Sequence, residues 1–118
     1  MSTTTIYHNP KCSKSRETLA LLQSHHVEPN VVLYLEHPPT VSTIKQLLNQ
    51  LGFTSARQLM RTKEDLYKEL NLDDETLTEE ALINAMHQHP ELIERPIVIV
   101  KNRAKIGRPP ENVLTLIE

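Results

Sequence analysis

Thr3-Thr4-Thr5-Ile6-Tyr7-His8-Asn9-Pro10-Lys11-Cys12-Ser13-Lys14-Ser15-Arg16 sets the chain's only cysteine between a β-branched run and the start of a helical pattern. Thr3 to Tyr7 predicts a strand, and His-Asn-Pro predicts the turn that ends it. A helix follows, capped by Ser13 or Ser15, with Leu19 and Leu22 on its apolar face until His25-His26 and Pro29. Asn30 to Leu35, with Val31, Val32, Leu33 and Tyr34 in a row, reads as a buried strand. Strand, helix and strand within about 35 residues is the spacing of a βαβ unit with parallel strands. This places Cys12 at a helix N-terminus, facing unpaired backbone N–H groups and the positive end of the macrodipole, so its pKa should fall below the free value of about 8.5. Lys11, Lys14 and Arg16 push the same way. The same donors and cations suit an oxyanion, so one loop offers both a nucleophile and a seat for its substrate. The alternative is a buried, inert cysteine; flanking by Lys, Ser and Pro argues against a core position.

Composition narrows the classes. The 118 residues, 38% hydrophobic and 24% charged, fit a single domain over 1–118 with one core. One cysteine permits no internal disulfide, so the fold does not depend on an oxidising compartment. The apolar runs are far shorter than the roughly 18 residues of a membrane span. Met1 to Thr5 lacks the basic and apolar regions of a signal peptide, so the expected location is cytoplasmic, with no membrane partner. A formal net charge of -2 gives no global basic field, and Tyr7, Tyr34, Phe53 and Tyr67 are too few for base stacking. Nucleic acid is therefore not expected as a partner.

Further along, Pro38-Pro39 breaks the chain, and Thr40 or Ser42 caps a helix carrying Ile44, Leu47, Leu48 and Leu51 that Gly52 ends. Ser55 to Asn71 reads as one or two short helices. Thr78 opens another, with Ala81, Leu82, Ala85 and Met86 on its apolar face, ending near His89-Pro90. Ile97 to Val100 and Ala104 to Ile106 are strands about a tight turn, and Pro109-Pro110-Glu111 starts a last helix. The order βαβ, helical insert, ββα predicts an α/β, thioredoxin-like fold: a four-stranded mixed sheet with flanking helices and a helical insert.

Three other places can carry chemistry, all through arginine, whose planar fork fits a tetrahedral oxyanion better than lysine does. Arg95-Pro96 precedes the third strand and Arg108-Pro109 follows the fourth. Because they bracket an antiparallel hairpin, Arg95 and Arg108 should meet at one end of the sheet. Arg57 and Arg61 lie in the insert. Singly, each arginine reads more readily as a solvated surface cation than as a ligand, and a common placement beside the cysteine end of the sheet is what would reverse that. His8, four residues before Cys12, is either a cation or proton relay for the thiol, or a hydrogen-bonded turn histidine. His87 and His89 lack a second ligand cluster, so no metal site is expected. Two glycines, Gly52 and Gly107, exclude phosphate-binding glycine loops.

Tyr7-His8-Asn9-Pro10 with Cys12 and Ser15-Arg16, Leu33-Tyr34-Leu35-Glu36, Glu94-Arg95-Pro96-Ile97-Val98 and Gly107-Arg108-Pro109 together resemble the glutaredoxin-coupled arsenate reductases over nearly the whole chain. Ser55-Ala56-Arg57 and Lys63-Glu64-Asp65-Leu66-Tyr67 are most similar to the short chromosomal members. The resemblance implies a Cys12 thiolate that attacks arsenate, glutathione as co-substrate, and glutaredoxin as the partner that resolves the product and releases arsenite. It implies no tightly bound cofactor. It also implies Arg61, Arg95 and Arg108 as oxyanion ligands, with His8 and Ser15 tuning Cys12. Gly107 stands where the plasmid-encoded enzymes carry a second cysteine.

Two other classes stay open at this level. A thioredoxin-like regulator that binds RNA polymerase has a similar fold, although many such regulators carry a Cys-x-x-Cys pair where this chain has Cys12 and Ser15. A glutathione-dependent oxidoreductase acting on another substrate would share Cys12 without needing all three arginines.

Overall fold

Alternation of Thr4, Ile6 and Thr5, Tyr7 on opposite faces makes β1 (Thr4–Tyr7), and Ile6 enters the core fully buried. The computed structural model describes residues 3–117; the expectation for Met1–Thr5 thus extends in part outside the described residues. Within them the chain divides into two compact units: everything up to His37 together with everything from Arg95 on, and Pro38–Glu94.

The first unit is a four-stranded mixed sheet in the order β2-β1-β3-β4. β1 runs parallel to β2 (Asn30–Val32) and antiparallel to β3 (Ile97–Val100), which pairs antiparallel with β4 (Arg103–Ile106). The β3–β4 turn is only Lys101-Asn102, one residue tighter than the pattern predicts, with Lys101 at φ 58. Helix α1 (Ser13–Ser24) connects β1 to β2. The chain closes with a 3-10 helix (Pro110–Leu116). Ile6, Leu22, Val98, Val113 and Leu116 form the buried cluster, with Leu19, Val27, Val100 and Ile117 against it. Each large aliphatic side chain fully buried there contributes about 1.5–3 kcal/mol, so this cluster fixes α1 on β1 and β3.

β2 departs from the expected buried strand. It is three residues long, pairs only with β1, and leaves Val31 47% exposed. After Val32 the chain turns: the Leu33 carbonyl accepts from the N–H groups of Glu36 and His37. Tyr34 is buried and Leu35 is exposed. An unbroken apolar run says that burial is wanted but not whether a strand is central, and here the edge position decides.

The second unit is the helical block. α2 (Val41–Leu51) starts at Thr40, whose Oγ1 accepts from the Thr43 N–H at 3.1 Å, and stops at Gly52 in the left-handed region at φ 74. A 3-10 helix (Ala56–Leu59) and α3 (Asp65–Glu69) follow. α4 (Glu79–Gln88), capped by Thr78, packs against α2. Among the described residues no helix is long and apolar enough to cross a membrane.

Candidate active site

The loop after β1 is folded by its own backbone and side chains. His8 N–H donates to the Val32 carbonyl at 2.9 Å, which extends the β1–β2 pairing by one residue. Asn9 then organises the turn. Its carbonyl accepts from the Cys12 N–H at 3.0 Å, and its Oδ1 accepts from the Lys11 N–H at 3.0 Å. The Cys12 carbonyl accepts the first helical bond, from the Arg16 N–H at 3.0 Å. Cys12 is therefore the N-cap of α1 (φ -95, ψ 124), where the first-turn N–H groups lack intrahelical partners.

This corrects the capping expectation for Ser13 and Ser15. Ser15 is fully buried and turns back to the loop: its Oγ lies 2.6 Å from His8 Nδ1 and accepts from the Asn9 N–H at 3.0 Å. Accepting from Asn9 leaves the hydroxyl proton for His8 Nδ1, an arrangement that suits a neutral ring. Burial, and then the charge of Arg16, push the His8 pKa down. His8 thus makes the hydrogen bond of the turn-histidine reading, and its burial disfavours the charged ring.

Arg95 and Arg108 meet at the end of the hairpin. Arg108 Nε donates to the Arg95 carbonyl at 2.9 Å, and Arg108 Nη2 lies 3.7 Å from Cys12 Sγ. Arg95 Nε is buried without a hydrogen-bond partner among the described residues. Both arginines precede a cis proline bond, Arg95-Pro96 and Arg108-Pro109. The Arg108 carbonyl is held by Asn112 Nδ2 at 3.0 Å, a contact the sequence signals only as an asparagine one helical turn past the arginine.

Cys12 is part-buried. Burial pushes its thiol up, but the Ser15 N–H, the Arg95 guanidinium and the Lys14 N–H together outweigh it, leaving the pKa below the ordinary thiol value. The cations expected from the local sequence are differently engaged. Arg16 Nη1 donates to the Pro10 carbonyl at 3.0 Å, and Lys14 pairs with Glu17 at 3.3 Å. Within α1 it is backbone N–H groups that favour the thiolate, and the guanidinium that does so comes from Arg95, far away in sequence.

The thiolate fraction rises with pH through the thiol's pKa, so a lowered pKa moves the alkylation profile to lower pH. Titrating the iodoacetamide reaction of Cys12 should give a midpoint below about 8.5. A midpoint at or above that value would contradict the described electrostatics.

Arg61 lies in the helical unit. Its N–H donates to the Leu92 carbonyl at 2.7 Å, next to the Met60–Ile93 bridge. Its side chain pairs with Glu64 at 3.2 Å and Glu94 at 3.3 Å, so two carboxylates fix the guanidinium fork. Arg57 is structural: it donates to the carbonyls of Leu72 and Asp74 and to the Tyr67 hydroxyl. His87 Nδ1 sits 2.8 Å from the Pro39 carbonyl, and His89 is paired with Glu91.

Known proteins are similar to this chain over nearly its whole length. An uncharacterized protein of Escherichia coli K12, YfgD, is 63% identical over 112 residues, 95% of this chain and 94% of its own. A Haemophilus influenzae protein named arsenate reductase is 52% identical over 112 residues, covering 95% of this chain and 97% of that protein. A solved structure titled arsenate reductase from Vibrio cholerae superposes with a TM-score of 0.95 at 56% identity, covering 97% of each chain. The model of the ArsC family matches residues 7–116, which contain Cys12 and all three candidate arginines. With nearly its whole length matched in sequence and in fold, the chain belongs to the ArsC family.

Proposed function

We propose that this protein is an arsenate reductase that uses Cys12 as nucleophile, with glutathione and glutaredoxin supplying the electrons. The observation that carries the reading is the placement of Cys12 Sγ at the α1 N-terminus, 3.7 Å from Arg108 Nη2, with Arg108 itself anchored on the Arg95 carbonyl. The names of close relatives, among them the Haemophilus influenzae and Neisseria meningitidis arsenate reductases, support the substrate.

The Cys12 thiolate attacks arsenic, forming a sulfur–arsenic bond as one arsenate oxygen leaves as water. The glutathione thiol adds next, displacing a second water. The glutaredoxin thiol then attacks the glutathione sulfur. The resulting mixed disulfide carries away two electrons' worth of oxidation, and arsenic(V) becomes arsenic(III). Hydrolysis of the remaining sulfur–arsenic bond returns Cys12 and releases arsenite. Arg95 and Arg108 neutralise the oxyanion and the charge that builds as sulfur adds, and Arg95 Nε, buried and without a partner among the described residues, is a donor suited to that task. Arg61, carried by the resemblance, is the proposed third ligand. His8 and Ser15 tune Cys12 by holding the loop around it.

Steady-state arsenite formation tests this. Turnover should require both glutathione and glutaredoxin, and equal rates with either omitted would overturn the coupling. No arsenite under any thiol supply would overturn the substrate.

A further inference from the structure

Arg61 is held by its backbone and by its side chain, and both sets of contacts lie inside the helical block. Its N–H donates to the Leu92 carbonyl at 2.7 Å and the Glu94 N–H donates to the Leu59 carbonyl at 2.8 Å, on either side of the Met60–Ile93 bridge. This short antiparallel pairing brings Glu94 beside Arg61 although the two are far apart in sequence, while Glu64 reaches the arginine from three residues further on. The two carboxylates take different parts of the fork. Glu94 Oε1 lies 3.3 Å from Nε, and Glu64 Oε2 lies 3.2 Å from Nη1. A guanidinium carries its N–H donors in one rigid plane, so these two contacts fix the plane and leave the Nη2 edge outside both pairs. The side chains of Arg61, Glu64 and Glu94 are 27%, 37% and 26% exposed. Ion pairs exposed to that extent add little to stability, so stability alone does not account for two carboxylates on one arginine.

We propose that Glu64 and Glu94 are positioning residues, which hold the Arg61 fork by Nη1 and Nε so that Nη2 is the edge offered to the substrate oxyanion. The proposal rests on the reading of Arg61 as the third oxyanion ligand. A long arginine side chain left free in solvent samples many rotamers, and ordering it when substrate arrives would subtract from binding. The clamp orders the side chain beforehand. Its own negative charge opposes a second anion nearby, so its value lies in geometry, and an uncharged side chain that still accepts from Arg61 preserves most of it.

The test measures KM and kcat for arsenate and the inhibition constant of sulfate in wild type, Arg61→Ala, Glu64→Ala, Glu94→Ala, Glu94→Gln and the Arg61→Ala, Glu94→Ala double variant, with melting temperatures alongside. Glu94→Ala should raise KM and the sulfate constant together by about five- to tenfold, with a smaller change in kcat, as expected when oxyanion binding is lost. Glu64→Ala should act in the same direction. Glu94→Gln, which keeps an acceptor on Nε, should recover most of the loss. The double variant should be no worse than Arg61→Ala, because the clamp acts only through the arginine. A merely structural role would lower the melting temperatures and leave KM and the sulfate constant in place, which would overturn the proposal; losses that multiply in the double variant would do the same. If Glu94→Ala does not fold, Glu64→Ala with wild-type constants is the overturning result. Arg61→Ala separates the inference from the reading beneath it. Wild-type constants in Arg61→Ala would remove Arg61 from the oxyanion site and the clamp with it, whereas a large loss there beside an unchanged Glu94→Ala would overturn the clamp alone.

Discussion

Replacing Cys12 by serine is expected to abolish arsenate reduction without loss of the fold. A hydroxyl does not ionise near neutral pH, and it cannot form the sulfur–arsenic bond on which the two later thiols act. The fold has little to lose. Cys12 is part-buried, lies outside the Ile6–Val113 cluster and makes no side-chain capping bond. Serine is among the preferred N-cap residues, and a good cap is worth about 1 kcal/mol. The melting temperature of Cys12→Ser should therefore equal or exceed that of wild type while arsenite formation falls to background. Substantial turnover by this variant would end the covalent mechanism.

The next largest effects belong to the arginines. Arg95→Ala and Arg108→Ala should each lower kcat/KM for arsenate by about 100-fold or more, the usual cost of removing one preorganised donor from an oxyanion site. Both should also weaken sulfate and phosphate as competitors. Lysine at either position should rescue only in part, since it restores charge without the fork. At Arg108 this matters doubly, because one guanidinium spans the Arg95 carbonyl and the Cys12 sulfur, and a single ammonium group cannot reproduce that bridge. Arg61→Ala should also slow turnover, and its cost in stability should be below about 1 kcal/mol, because its pairs with Glu64 and Glu94 are partly exposed. Alanine variants with near-normal kinetics would remove the arginines from the mechanism.

What could be read from the sequence was local. The β1–turn–α1 start, the α2 boundaries at Thr40 and Gly52 and the β3–β4 hairpin all rest on signals within a few residues of each other, and all are present. The meeting of Arg95 and Arg108 followed from hairpin topology alone, since any two residues flanking an antiparallel pair end up adjacent. Long-range choices were not legible. Val31 looks like a core residue until the strand order puts β2 at an edge. Lys14 and Arg16 look like the cations of the thiol until their own partners, Glu17 and the Pro10 carbonyl, are known. Ser15 looks like a cap, because nothing local says that His8 is buried beside it. The contact of Thr18 Oγ1 with the Gly107 carbonyl joins residues 89 positions apart and leaves no periodic trace.

The most direct test of the central claim is the chemical state of Cys12 during turnover. Wild-type protein supplied with arsenate and glutathione, and only limiting glutaredoxin, should be quenched within the steady state, digested and read by mass spectrometry. The peptide containing Cys12 should carry arsenic and glutathione in wild type. An unmodified Cys12 in samples that are accumulating arsenite would contradict the account.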